Sequence, residues 1–154
     1  MKTLHVVSIL DRSGSMSPSA SEVIGAYNAF IEDQQKIAKK SKYKVKATLV
    51  LFDDRYEEVY SKVAINEVPT LTDKVYYVRG MTALNDAIGK TINYFKGKNK
   101  VQFFIETDGY ENASKEYNTA SVKKLISEHS HWDFNFVGAD LSEAETNQMA
   151  NSMG

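Results

Sequence analysis

Three observations predict an α/β fold: a doubly wound, mostly parallel sheet with one antiparallel edge strand and helices on both faces. Short apolar runs alternate with segments of helical periodicity, the pattern of a parallel sheet covered by helices. The run Leu4-His5-Val6-Val7-Ser8-Ile9-Leu10 is nearly continuous in apolar character, as a strand buried on both faces should be. A third run, Tyr56–Tyr60, is more polar and follows a short Asp53-Asp54-Arg55 turn, which suits an antiparallel edge.

Taken in order, Leu4–Leu10 is the first strand, and its unbroken apolar character places it centrally. Ser19 with Glu22 forms a capping-box start. Val23, Tyr27, Phe30, Ile31, Ile37 and Ala38 then recur at helical spacing until Lys39-Lys40-Ser41-Lys42 ends the pattern. Val45–Phe52 is the second strand and Tyr56–Tyr60 the edge. An irregular stretch through Pro69 leads to Val75–Val78, a strand-like segment before Gly80-Met81-Thr82. Leu84, Ala87, Ile88, Thr91, Ile92 and Phe95 outline a second amphipathic helix, which Gly97 is placed to stop. Val101–Thr107 is the third strong strand. A helix over about Thr119 to His129 turns Val122, Leu125 and Ile126 inward. Asp133–Gly138 is a further short strand, and Ser142 with Glu145 opens a last helix. Right-handed crossovers put the loops after the strands on one edge, where such folds bind ligands.

A chain of 154 residues makes one domain that buries roughly 68–70% of its unfolded surface. With 42% hydrophobic and 25% charged residues it has ordinary globular composition. A net charge of -1 suggests neither a nucleic acid nor an anionic membrane as partner. Cysteine is absent, which excludes disulfides and thiolate metal sites and fits a reducing compartment. No run approaches the ~20 apolar residues of a membrane helix. Asp11-Arg12 interrupts the apolar stretch after Lys2, so no secretory signal is expected and the chain reads as cytoplasmic.

The chemistry concentrates after the strands. Asp11-Arg12-Ser13-Gly14-Ser15 directly follows Leu4–Leu10, Asp108-Gly109 follows Val101–Thr107, and Thr82 precedes the second helix. Each has a bland explanation alone. Asx or Ser turns account for Asp-x-Ser-x-Ser, Thr82 stands where an N-cap belongs, and Asp108-Gly109 could be a hairpin turn. Together they offer five hard oxygens from three loops, a set suited to a hexacoordinate Mg²⁺ or Mn²⁺ whose shell is completed by water or a partner.

On these residues the chain resembles a von Willebrand factor A-type domain carrying a metal-ion-dependent adhesion site, in the style of small stand-alone domains from bacteria and their phages. The motif positions fall on Asp11, Ser13, Ser15, Thr82 and Asp108, in the contexts Leu10-Asp11-Arg12-Ser13-Gly14-Ser15-Met16, Gly80-Met81-Thr82-Ala83-Leu84 and Thr107-Asp108-Gly109. The resemblance covers essentially the whole chain as one domain over 1–154. It implies Mg²⁺ or Mn²⁺ held by the hydroxyls of Ser13, Ser15 and Thr82, with Asp11 and Asp108 bound directly or through water. It further implies a protein partner that presents an Asp or Glu to the ion; the nearby residues Arg12, Met16, Met81 and Tyr110 are expected to set specificity. The chain ends at Gly154, soon after the Ser142 helix, whereas family members generally continue with another strand and a terminal helix.

Glu106 stands where the family usually has an apolar residue. It shares strand parity with Asp108 and reads either as a further acid of the site or, the favoured reading, as a salt-bridged structural acid. His5 reads as a hydrogen-bonded core or crevice histidine. His129 and His131 read as helix-end residues, Asp53-Asp54 as a solvated turn with a second, weaker cation site as the alternative, and Lys36, Lys39, Lys40, Lys42 and Lys44 as a solvated helix end with a nucleic-acid patch as the minor reading.

The expected function is a metal-dependent protein-binding module without enzymatic activity. One rival is a Mg²⁺-dependent phosphatase or phosphotransferase with Asp11 as nucleophile. Such an enzyme wants a second acid near Asp11, where Ser13 stands instead. The other rival is a structural subunit whose metal braces the loops.

Overall fold

The continuous apolar run is the middle of the sheet. In the computed structural model, which describes residues 2–108 and 111–138, β1 (Thr3–Asp11) lies between β2 (Lys44–Phe52) and β4 (Val101–Thr107). The strand order is β3-β2-β1-β4-β5, with β3 (Tyr56–Ala64) and β5 (Asp133–Gly138) at the edges. β1 pairs in parallel with β2 from Thr3↔Lys44 to Asp11↔Phe52, and with β4 from His5↔Val101 to Leu10↔Glu106. β5 is parallel to β4, and only β3 runs antiparallel, from Phe52↔Tyr56 to Lys46↔Ala64. The expected α/β architecture is therefore the observed one.

Alternation along β1 separates two cores. Val7 and Ile9 join Ile88 and Ile92 of α2 (Leu84–Tyr94) and Val122 and Ile126 of α3 (Thr119–Glu128). Val6 and Leu10 face Val23, Tyr27 and Ile31 of α1 (Ala20–Lys40). Val6, Val7, Ile9 and Leu10 are fully buried. Each contributes roughly 1.5–3 kcal/mol of transfer free energy as an upper figure.

Four local expectations change. Val75–Val78 is not a strand: Thr72 accepts the amides of Val75 and Tyr76 in a turn, at 3.1 and 2.9 Å, and the segment pairs with no strand. Tyr76 is instead buried as a plug beneath the sheet edge, leaving Val75 and Tyr77 exposed. Ser19 is the residue before α1, but its side chain makes no capping bond. A 3₁₀ turn over Gly14–Ser19 runs straight into the helix, and the Ala20 amide is taken by the Ser17 carbonyl. β3 extends to Ala64 through register shifts opposite Thr48, which break the regular alternation that sequence periodicity follows. Thr82 does not cap α2, which Ala83 precedes; the first amides of that helix are taken in trans by Glu111, at 2.7 Å from Asn85 N, and by Ser114, at 2.9 Å from Asp86 N. The Ser142 helix lies outside the described residues. Among the described residues no helix is long and apolar enough to cross a membrane.

Candidate functional site

The strand order reverses between β1 and β4, and the loops leaving those strands open side by side at their carboxyl ends, the usual ligand position in a doubly wound sheet. Pairing of Leu10 with Glu106 brings Asp11 level with Thr107. Thr107 donates its hydroxyl to Asp11 Oδ2 at 2.7 Å, and the Ser13 amide donates to Asp11 Oδ1 at 2.8 Å. The Ser13 and Ser15 hydroxyls lie 3.2 Å apart, and Ser15 Oγ donates to Asp108 Oδ2 across the gap between the two loops. Asp11, Ser13, Ser15 and Asp108 are thus brought together. Thr107 belongs to the same cluster and was missed, because it lies inside the strand and outside the motif.

Thr82 reaches this edge by a separate route. The Gly14 amide donates to the Gly80 carbonyl at 3.0 Å, and the Arg79 amide to the Arg12 carbonyl at 2.8 Å, so the Thr82 loop lies against the Asp11 loop. Asn112 clamps Thr82 by its backbone: Thr82 N donates to Asn112 Oδ1 at 2.8 Å, and Asn112 N to the Thr82 carbonyl at 2.9 Å. Thr82 is buried beside the other four residues' loops and is held through its backbone. Gly80 has φ +68, and a Cβ there would stand 2.2 Å from Asp54 Oδ1, so this close turn demands glycine.

Asp53 locks the three loops together. It is fully buried, not a solvated turn residue. Its Oδ2 meets Arg79 Nε at 2.8 Å and Arg12 Nε at 3.3 Å, its Oδ1 accepts the Arg55 amide at 2.6 Å, and its carbonyl accepts the Ala83 amide at 2.9 Å. Arg12 also reaches Glu57 at 2.5 Å. Arg12, held in this network, and Met16, packed in the α1-side core, are buried and cannot form a specificity rim, whereas Met81 is exposed. Tyr110 lies outside the described residues. The sequence signal for Asp53 was its place just after β2, at the same sheet edge as Asp11.

Burial raises the Asp11 carboxyl above its usual range; the Ser13 and Thr107 hydrogen bonds oppose this, and the charge of Asp108 adds to it. The Tyr76 hydroxyl donates to the Asp11 carbonyl at 2.5 Å, and burial pushes that phenol well up. Glu106 is buried on the α1 side of β4 without an ion pair among the described residues, and its Oε1 has no hydrogen-bond partner. Burial first, then repulsion from Glu22, pushes its carboxyl up to about 7. The salt-bridged reading of Glu106 is therefore corrected: no counter-ion meets the acid among the described residues, and its burial favours the protonated form.

Among the described residues no group of three or more acidic or histidine side chains converges, so a cation at this edge depends on hydroxyls beside two carboxylates. That donor set is entirely hard oxygen. A divalent ion would offset the buried charge of Asp11 and its repulsion by Asp108, so the residues present fit such an ion.

No protein-family model and no curated protein matches the sequence. Solved structures do. BatB, a conserved hypothetical protein from Bacteroides thetaiotaomicron, is 13% identical at a TM-score of 0.60, over 97% of this chain and 86% of that one. A von Willebrand factor type A protein from Catenulispora acidiphila is 16% identical at 0.59, over 99% of this chain and 37% of that one. The pilus adhesin SpaC of Lactobacillus rhamnosus GG, in its open conformation, is 16% identical at 0.70, over 99% of this chain and 27% of that one. Likeness at these identities speaks of architecture. With its strand order and its covered parallel sheet, the chain has the fold of a von Willebrand factor type A domain.

Proposed function

We propose that this chain is a divalent-cation-dependent protein-binding module that captures an Asp or Glu side chain of a partner protein. The observation that carries the reading is the junction of Ser13, Ser15 and Asp108, in which the loops after two adjacent parallel strands present their oxygens to one another. Mg²⁺ or Mn²⁺ would be held by Asp11, Ser13, Ser15, Thr82 and Asp108. When bound, the ion supplies an electrophilic position for which a carboxylate is the matching hard ligand. Neutral hydroxyls leave more of its charge uncompensated than carboxylates would. The chain's own residues do the rest: Thr107 and the Ser13 amide orient Asp11, and Asp53 holds the loops in register. Exposed Met81 and Tyr77 offer apolar contact on the 75–82 segment that carries Thr82.

The likeness to an adhesin supports an interaction role, and the absence of cysteine fits the reducing cytoplasm, where we place the module. We also propose that it does not hydrolyse phosphate esters. No second acid follows Asp11 at hydrolase spacing, and no histidine belongs to the cluster.

The test is a partner recovered from lysate of the native host and then purified. Its binding is measured with Mg²⁺, with EDTA, and against Thr82→Ala. Loss in EDTA and weakening by the variant are expected. Binding that survives both would place the partner on another surface. Turnover of a phosphate ester that disappears in Asp11→Asn would instead promote the enzyme reading.

A further inference from the structure

The opposite edge of the sheet holds a second concavity, at the amino ends of β1, β2 and β4. A cavity of about 480 Å³ is lined there by His5, Lys2, Lys46, Lys62, Lys98 and Lys100. None of the five lysines is ion-paired among the described residues. Two of them rest on rings instead: the Lys62 ammonium lies 4.7 Å from the Tyr94 centroid and that of Lys100 lies 5.0 Å from Tyr43. In a chain of net charge -1 this gathering of positive charge is local, not compositional.

Two features mark the cavity as built. His5 is buried, stands 5.3 Å from the Phe95 ring, and leaves its Nδ1 without a hydrogen-bond partner. A buried ring nitrogen without a partner is uncommon in folded proteins. Lys62 sits at φ 54, a left-handed conformation uncommon for a lysine. The register shift of β3 opposite Thr48 imposes it here: the Lys62 amide donates to Thr48 Oγ1 at 3.0 Å.

Like charges around one hollow repel, and an anion converts that repulsion into binding. Lysine ammonium groups are compact point-charge partners for phosphate. The volume suits a small molecule. His5 is held neutral by burial and by Lys98, Lys62 and Lys46, so its ring can donate to a phosphoryl oxygen through one nitrogen.

We propose that this cavity binds the diphosphate group of a small anionic ligand, independently of the cation site at the other edge. The shared chemistry is the diphosphate; inorganic pyrophosphate and a nucleoside diphosphate are the two sources.

The experiment titrates each of them into the isotopically labelled full chain, in EDTA, at low and at raised ionic strength. Amide signals of His5, Lys46, Lys62 and Lys98 should move with both. Affinity should fall by about tenfold or more in Lys62→Gln/Lys98→Gln and stay unchanged in the charge-matched Lys123→Gln/Lys124→Gln on α3. Tighter binding of the nucleoside diphosphate would extend the same site to the half-buried Tyr43 that lines the cavity. No shifts at millimolar ligand would overturn the proposal. So would equal losses in the two double variants. A single-stranded oligonucleotide that binds more tightly, with shifts spreading over Lys39, Lys40 and Lys42, would overturn it in favour of nucleic acid.

Discussion

Thr107 holds Asp11. Its hydroxyl reaches Asp11 Oδ2 at 2.7 Å from the end of the neighbouring strand, while the Ser13 amide occupies Oδ1. Both side chains are fully buried. Asp11 is therefore aimed by a residue 96 positions away before any ligand arrives.

Thr107→Val keeps the shape and removes the donor. The buried carboxylate then loses a charge-assisted bond, which should cost about 1.5–3 kcal/mol of stability at neutral pH. Urea unfolding of the metal-free protein checks this. A loss below about 0.5 kcal/mol would mean that Asp11 is held by Ser13 alone.

Asp53→Asn removes the buried charge shared by Arg12 and Arg79 while keeping the acceptor for the Arg55 amide. Arg12 is then left buried with the half-exposed Glu57 as its remaining ion-pair partner among the described residues. Breaking one side of a buried pair typically costs about 3–5 kcal/mol, and the Glu57 contact puts the expected loss at the lower end. Cation affinity should fall with it, since the Gly80 and Ala83 contacts that position Thr82 depend on the same hub. A variant of wild-type stability would show that the backbone bonds suffice.

Glu106 sets a pH dependence. Its carboxyl titrates near 4.5 when unfolded and is pushed up to about 7 in the fold by burial, so the folded chain keeps a proton that the unfolded chain releases. This group's contribution is fully present below pH 4.5 and is lost as pH rises to about 7. The loss is on the order of 3 kcal/mol. Denaturant midpoints in EDTA across that window should decline in the wild type and decline much less in Glu106→Gln. Asp11, raised in the same direction, leaves a residual slope. Parallel pH profiles for the two proteins would exclude Glu106 as the source.

Local patterns made most of the fold legible. The strands Val101–Thr107 and Asp133–Gly138 have the bounds their apolar residues and turn signals indicate, and the central place of β1 followed from its unbroken apolar run. The Asp-x-Ser-x-Ser loop and Asp108 were legible because each sits where a recognisable strand stops. What escaped depends on pairing between distant segments. Thr107 matters only because the β1–β4 register sets it beside Asp11. Asp53 looks like any polar turn until Arg12 and Arg79 arrive from two other loops. Val75–Val78 has strand-like composition but no neighbour to pair with, so Tyr76 became a plug. The basic cavity was invisible for the same reason: its five lysines are scattered from position 2 to position 100.

The most direct test of the cation site is calorimetric titration of Mg²⁺ and of Mn²⁺ into the metal-free full chain, beside Asp11→Ala and Asp108→Ala, with circular dichroism on each. A saturable heat in the wild type that both substitutions abolish, with native spectra retained, is the expected result. Absence of binding in the wild type, or unchanged affinity in both variants, would contradict a cation held by Asp11, Ser13, Ser15, Thr82 and Asp108.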